Sequence, residues 1–93
     1  MYTTYYTYIM SSNNNSTLYI GVTGDINKRV IEHKSGHGSV FTSKYHCNKL
    51  VYYESFSDIN QAISWEKELK GWIRAKKDKL IDTINPSRDD LSV

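Results

Sequence analysis

The sequence has one cysteine, Cys47, and one proline, Pro86. A lone thiol cannot close an internal disulfide or build a cysteine zinc cluster. It suits a reducing compartment, and the cytoplasm is the expected location. No apolar run approaches the ~20 residues needed to cross a bilayer, so no membrane partner is expected. The N-terminus lacks the basic start and apolar stretch of a secretory signal. Net charge is also small, +2, and by itself names no partner. What is present is the composition of a folded unit: 39% hydrophobic and 13% aromatic residues, too apolar for a disordered tail. The 93 residues suit a single domain, with a core over about 4–85 and a tail from 86 to 93. A chain this short buries only about 60–65% of its unfolded surface, which leaves no room for a large closed cavity.

Residues 4–11 are rich in tyrosine and β-branched residues and read as a strand. Alternation puts Tyr6, Tyr8 and Met10 on one face and Tyr5, Thr7 and Ile9 on the other. Three asparagines between Ser12 and Thr17 mark a turn, and Leu18 to Thr23 is the second strand of a hairpin. Asp25 caps a helix running to about Ser35, with Gly36 as its stop. Residues 36–48 read as irregular, and Lys49 to Phe56 as the third strand. Asp58 and Gln61 have capping-box spacing ahead of a helix over Ile59 to Lys70. Gly71 interrupts, and a last helix follows from Arg74 to Ile84, with Leu80, Ile81 and Ile84 facing inward before Asn85-Pro86 ends it. The tail is polar and expected to fray. The predicted fold is α+β: a three-stranded antiparallel sheet flanked by helices in the order β-β-α-β-α-α.

Charge is unevenly placed. Lys67, Lys70, Arg74, Lys76, Lys77 and Lys79 face only Glu68 and Asp78 over residues 67–79. Such a stripe suits a phosphate backbone, and equally a solvated helical face.

Three groups of side chains could carry chemistry. Glu66 falls in the middle of the apolar arc Ile59, Ala62, Ile63, Leu69 and Ile73. A carboxylate there needs a partner. An i,i+4 pair with Lys70 would supply one, and so would a hard cation such as Mg²⁺. Arg29 and His33 lie one turn apart on the first helix, and arginine offers a fork for phosphate oxygens. The alternative is a surface arginine beside a half-buried histidine. Tyr8 and Tyr19 could converge across the hairpin, or be core tyrosines with satisfied hydroxyls. His37 and His46 have no metal-ligand spacing and read as loop residues.

Taken as an ordered set, these residues resemble the GIY-YIG nuclease superfamily. Tyr19-Ile20-Gly21 matches its second motif. Tyr6-Thr7-Tyr8 departs from the first, keeping only the final tyrosine. Arg29 follows Tyr19 at the family spacing, with His33 four residues on. Glu66, within Ala62-Ile63-Ser64-Trp65-Glu66-Lys67-Glu68-Leu69-Lys70, falls on the family's metal-binding glutamate. The segment from Ser35 to Thr42 is similar to the loop of small stand-alone bacterial members. Some family enzymes carry an asparagine about twelve residues after the glutamate; Asp78 stands there, and Asn85 is a candidate substitute.

The resemblance implies metal-dependent hydrolysis of DNA phosphodiesters, with repair or processing of DNA as the expected setting. One Mg²⁺ or Mn²⁺ would sit on Glu66, Arg29 would hold the phosphate, and Tyr8 would be the general base. Tyr8 could act if its pKa were lowered or if it relayed its proton to His33. Tyr19 would position water or phosphate, and Gly21 would keep the strand-to-helix turn open. Lys44, Lys70, Arg74, Lys76 and Lys77 would hold flanking phosphates. Nothing reads base identity, so weak sequence specificity, structure specificity or a protein partner is expected. The alternatives are a DNA-binding module of the same fold with little turnover, and a small interaction domain in which Glu66 merely pairs with Lys70.

Overall fold

The tyrosine-rich first segment, the asparagine turn and the run from Leu18 to Thr23 do form a hairpin. In the computed structural model, which describes residues 3–92, β1 is Tyr5–Ser11 and β2 is Leu18–Thr23. Tyr8 pairs with Gly21 and Ile9 with Ile20 in antiparallel register. The turn closes through Ser12 N–H to the Thr17 carbonyl and Asn15 N–H to the Ser12 carbonyl, each at 3.0 Å. Asn15 adopts a φ of 63°, which asparagine tolerates better than most residues. β3, Lys49–Phe56, pairs antiparallel with the other edge of β1, giving the order β2-β1-β3.

The central strand is covered on both faces. Ile9 packs with Ile20, Val51, Tyr52, Leu69 and Ile81. Tyr8 and Met10 pack on the other side with Val30, Cys47 and Leu50. Burial of both faces takes Thr7 inside too, and its hydroxyl donates to the Ala62 carbonyl at 2.8 Å. A bulge in the β1–β3 pairing sets Ile9 opposite Tyr52 but Met10 opposite Leu50. The extra residue, Val51, sends Leu50 and Tyr52 to different faces, against simple alternation.

Helix α1 is Ile26–Lys34, and the Asp25 carboxylate accepts the Lys28 N–H at 3.1 Å as its cap. Residues 36–48 are not wholly irregular: Val40–Tyr45 form a six-residue helix, α2. The Ser39 hydroxyl accepts the Thr42 N–H at 3.0 Å, and this cap offsets the poor helix propensity of the segment. Helix α3 is Ile59–Lys70, capped by Asp58. The cap differs from the expected box, because Asp58 takes the Asn60 N–H at 2.8 Å while the Gln61 N–H goes to the Asp58 carbonyl. Ile59 and Ile73, at the ends of the predicted stripe, are exposed. Ala62 and Leu69 are the buried positions of α3, with Trp65 packed beside them.

Helix α4 is Arg74–Asp82 and stops short of the predicted Ile84, which points outward at 53% exposure. Asn85 turns inward in its place. Its side-chain amide donates to the carbonyls of Val51 at 3.1 Å and Asp89 at 2.8 Å. The tail does not fray over its described residues, and Val93 lies outside them. Leu91 N–H donates to the Leu50 carbonyl at 2.7 Å, and Asp90 accepts from Leu50 N–H and pairs with Lys34. A polar tail is held because it offers partners to backbone groups of β3 that the sheet leaves open.

Candidate active site

Helix α1 turns Val30 and His33, three residues apart, toward the sheet, and both are buried. His33 Nε2 lies 2.8 Å from the Tyr8 hydroxyl. Arg29, one turn earlier, donates from Nε to the same oxygen at 3.3 Å. Tyr8 reaches across its neighbour β2 at Gly21, where a Cβ would stand 2.6 Å from the tyrosine oxygen. The absent side chain at Gly21 therefore makes room for the Tyr8 hydroxyl. The Gly21→Ala protein is expected to lose about 1–3 kcal/mol of stability, because buried Tyr8 has nowhere to retreat. Urea unfolding checks it, and an unchanged midpoint would show that the ring moves freely.

Tyr19 packs on Tyr8 and His33, with ring centroids 6.4 and 5.3 Å away. It continues to half-exposed Phe41 at 6.0 Å, and Phe41 to Tyr45 at 4.8 Å. Glu66 comes from α3, which packs against β1 and β2. Its side chain is 19% exposed and pairs with Lys70 at 3.3 Å, so the bland pairing foreseen from the sequence exists. The pair engages one carboxylate oxygen and a lysine that is itself 54% exposed. The Glu66 charge also opposes ionisation of Tyr8. Along the β2 edge, Leu18, Tyr19, Ile20, Phe41, Lys70 and Lys77 line an open groove of about 280 Å³. Tyr8, Tyr19, Arg29 and His33 are thus in one cluster along the inner face of α1, with Glu66 at its rim.

The remaining basic residues are dispersed. Lys44 lies over the Tyr45 ring at 5.4 Å and Lys76 over Trp72 at 4.2 Å. Arg74 holds Asp78 at 3.0 Å and the carbonyls of Asn15 and Ser16, pinning the hairpin turn to α4. Neither Asp78, which pairs with Arg74 and Arg88, nor Asn85 is bonded to the cluster.

Burial pushes the Tyr8 hydroxyl up to about 12, and the Arg29 hydrogen bond only partly offsets it. Burial, with the Arg29 charge second, lowers His33 to about 4. Both are neutral at pH 7, and tyrosinate would amount to about one molecule in 10⁵. The shift at His33 has a consequence for folding. An unfolded histidine titrates near 6.5, so below that pH the unfolded chain takes up a proton that folded His33 refuses until about 4. The His33 contribution to stability is full above about 6.5 and falls as pH drops toward 4. Urea unfolding over a pH series should show this slope, and the His33→Gln protein should lack that part of it.

A family model for the GIY-YIG catalytic domain matches residues 4–79. The chain belongs to the GIY-YIG family. A UPF0213 protein of Bacillus pumilus is 33% identical over 85 residues, covering 91% of this chain and 86% of its own. One of Staphylococcus saprophyticus is 40% identical over 77 residues, covering 83% and 93%. The solution NMR structure of the UPF0213 protein BH0048 from Bacillus halodurans matches with a TM-score of 0.60 at 29% identity, covering 94% of this chain and 92% of that one. The departure of this GIY-YIG chain from the first motif has structural roles: Thr7 ties β1 to α3, and Tyr6 packs edge-on to Tyr53 at 6.2 Å. Two residues not singled out from the sequence support His33: Thr42 of α2 has its Oγ1 2.9 Å from Nδ1, and Ser39, the cap of that helix, bonds in turn to Thr42. The Ser-x-x-Thr spacing of a helix cap was the available signal, obscured by flanking Gly36 and Gly38.

Proposed function

We propose that this GIY-YIG chain is a metal-dependent endonuclease that hydrolyses phosphodiester bonds in DNA. The carrying observation is the cluster of Tyr8, Arg29 and His33 beside a groove that Lys70 and Lys77 make basic, with Glu66 at its rim. The donor set suits one kind of ion. Among the described residues no three His, Cys, Asp or Glu side chains gather, so a zinc or calcium cage has no ligands here. A single half-buried carboxylate suits Mg²⁺ or Mn²⁺, which keep several waters and take phosphate oxygens from substrate. When bound on Glu66, such an ion supplies Lewis-acid stabilisation of charge on the phosphate.

The chain's own residues account for binding and proton movement. Arg29 and the groove lysines attract the phosphates, and half-exposed Phe41 and Tyr45 offer ring faces to bases. Burial raises the Tyr8 hydroxyl to about 12, which favours a neutral role for it over that of a tyrosinate. It takes a proton from the attacking water while passing its own to His33 Nε2, so it remains neutral throughout. His33 is the acceptor because burial keeps it unprotonated.

The Glu66–Lys70 ion pair favours a second reading, a module that binds DNA without turnover. Nicking of supercoiled and branched DNA in Mg²⁺ or Mn²⁺, beside Glu66→Ala purified identically, separates them. Cation-dependent nicking by the native protein alone supports the nuclease. Equal cleavage by both points to a contaminant. DNA binding that ignores the cation, with no cleavage, supports the module.

A further inference from the structure

The hydrogen-bonded chain that begins at Arg29 continues past His33. Tyr8 Oη lies 2.8 Å from His33 Nε2, His33 Nδ1 lies 2.9 Å from Thr42 Oγ1, and Thr42 Oγ1 lies 3.3 Å from the Ser39 carbonyl. Thr42 Oγ1 is also 2.9 Å from the Ser39 hydroxyl, which accepts the Thr42 N–H as the cap of α2.

The two ends set the direction. Arginine only donates, so the Tyr8 oxygen accepts from Arg29 Nε–H. A backbone carbonyl only accepts, so the Ser39 carbonyl offers the Thr42 hydroxyl a receiver, while the Ser39 hydroxyl can either give to Thr42 or take from it. A neutral imidazole carries one N–H. If it were on Nε2, Tyr8 would receive two N–H groups and its own proton would be left without a protein acceptor. Thr42 would then have to turn its proton from Ser39 to His33. With the N–H on Nδ1, every group in the chain is satisfied. The Gly38 backbone lies close against the Nδ1 side: a Cβ there would stand 2.1 Å from that nitrogen.

We propose that Thr42, oriented by Ser39, is a positioning residue that holds His33 in its Nδ1–H form, with the Nε2 lone pair aimed at the Tyr8 proton. The tautomer follows from the hydrogen bonds alone. Its effect on turnover rests on the nuclease reading above.

The test is a long-range ¹H–¹⁵N correlation of the His33 ring in uniformly ¹⁵N-labelled full chain at neutral pH, without DNA or metal. The native protein and Thr42→Ser should show protonated Nδ1 and unprotonated Nε2. Thr42→Val, which keeps the shape and removes the hydroxyl, should shift the ring toward the Nε2–H form or a mixture. A native spectrum with Nε2 protonated overturns the proposal without needing any variant to fold. So does a Thr42→Val ring still wholly in the Nδ1–H form. In nicking assays Thr42→Val should lower kcat about tenfold or more with KM little changed, and Thr42→Ser should restore it. A shifted tautomer with unchanged kcat would sink the catalytic half of the proposal. An inactive native protein with Nδ1 protonated would sink the nuclease reading and leave the tautomer assignment supported.

Discussion

Glu66→Gln is expected to remove cation-dependent cleavage by about 10³-fold or more while the protein stays folded. The amide has nearly the carboxylate's shape but none of its charge, and the ion it would hold is worth several kcal/mol to the transition state. Little stability should be lost. The Glu66–Lys70 pair is partly exposed, and pairs of this i,i+4 kind contribute about 0.3–0.5 kcal/mol. Core positions Ala62 and Leu69 on the same helix are untouched. Parallel nicking and thermal unfolding assays read the two effects separately. A Glu66→Gln protein that melts normally and cleaves normally would show that this carboxylate serves only Lys70.

Tyr8→Phe is expected to lower cleavage by about 10²–10⁴-fold, the usual contribution of a positioned proton-transfer group. The ring should keep its packing with Met10 and Val30, but His33 Nε2 and Arg29 Nε lose their common partner. An unpartnered buried ring nitrogen costs about 1–3 kcal/mol, so a lower unfolding midpoint should accompany the loss. On the nuclease reading, the pH dependence of cleavage by the native protein distinguishes relay from tyrosinate chemistry. A neutral Tyr8 that relays gives a rate with no alkaline rise attributable to it between 7 and 10, because neutral tyrosine beside unprotonated His33 is already the prevailing form over that range. A rate climbing about tenfold per pH unit over that range, and lost in Tyr8→Phe, would show that tyrosinate is the base and refute the relay.

Local patterns carried the hairpin, the α1 and α3 caps and the third strand. In each, the deciding interaction lies within a few residues: asparagines in the turn, Asp25 and Asp58 before apolar-periodic segments, β-branched and aromatic runs between. Glu66 was visible as a carboxylate out of place on an apolar stripe. Its pairing with Lys70 was legible along the helix, while its place at the rim of the Tyr8 cluster was expected only through the family resemblance, because convergence of α1, β1 and α3 is not local.

The amino-acid order by itself determined the sheet, helices α1 and α3, the start of α4 and the family, because these rest on periodicity, caps and motif spacing, while α2 and the end of α4 escaped it. Tertiary structure alone decided the protonation of the candidate site. Tyrosine near 10 and histidine near 6.5 are properties of exposed side chains. Burial between β1, β2 and α1 drove Tyr8 upward and His33 downward, against what the adjacent Arg29 does to the tyrosine. The bulge at Val51, the inward turn of Asn85 and the contact of Thr42 with His33 were likewise decided by packing. The Asn85 and Thr42 contacts join groups that are not neighbours in sequence, and both exist because a buried polar atom must find a partner wherever the fold places one.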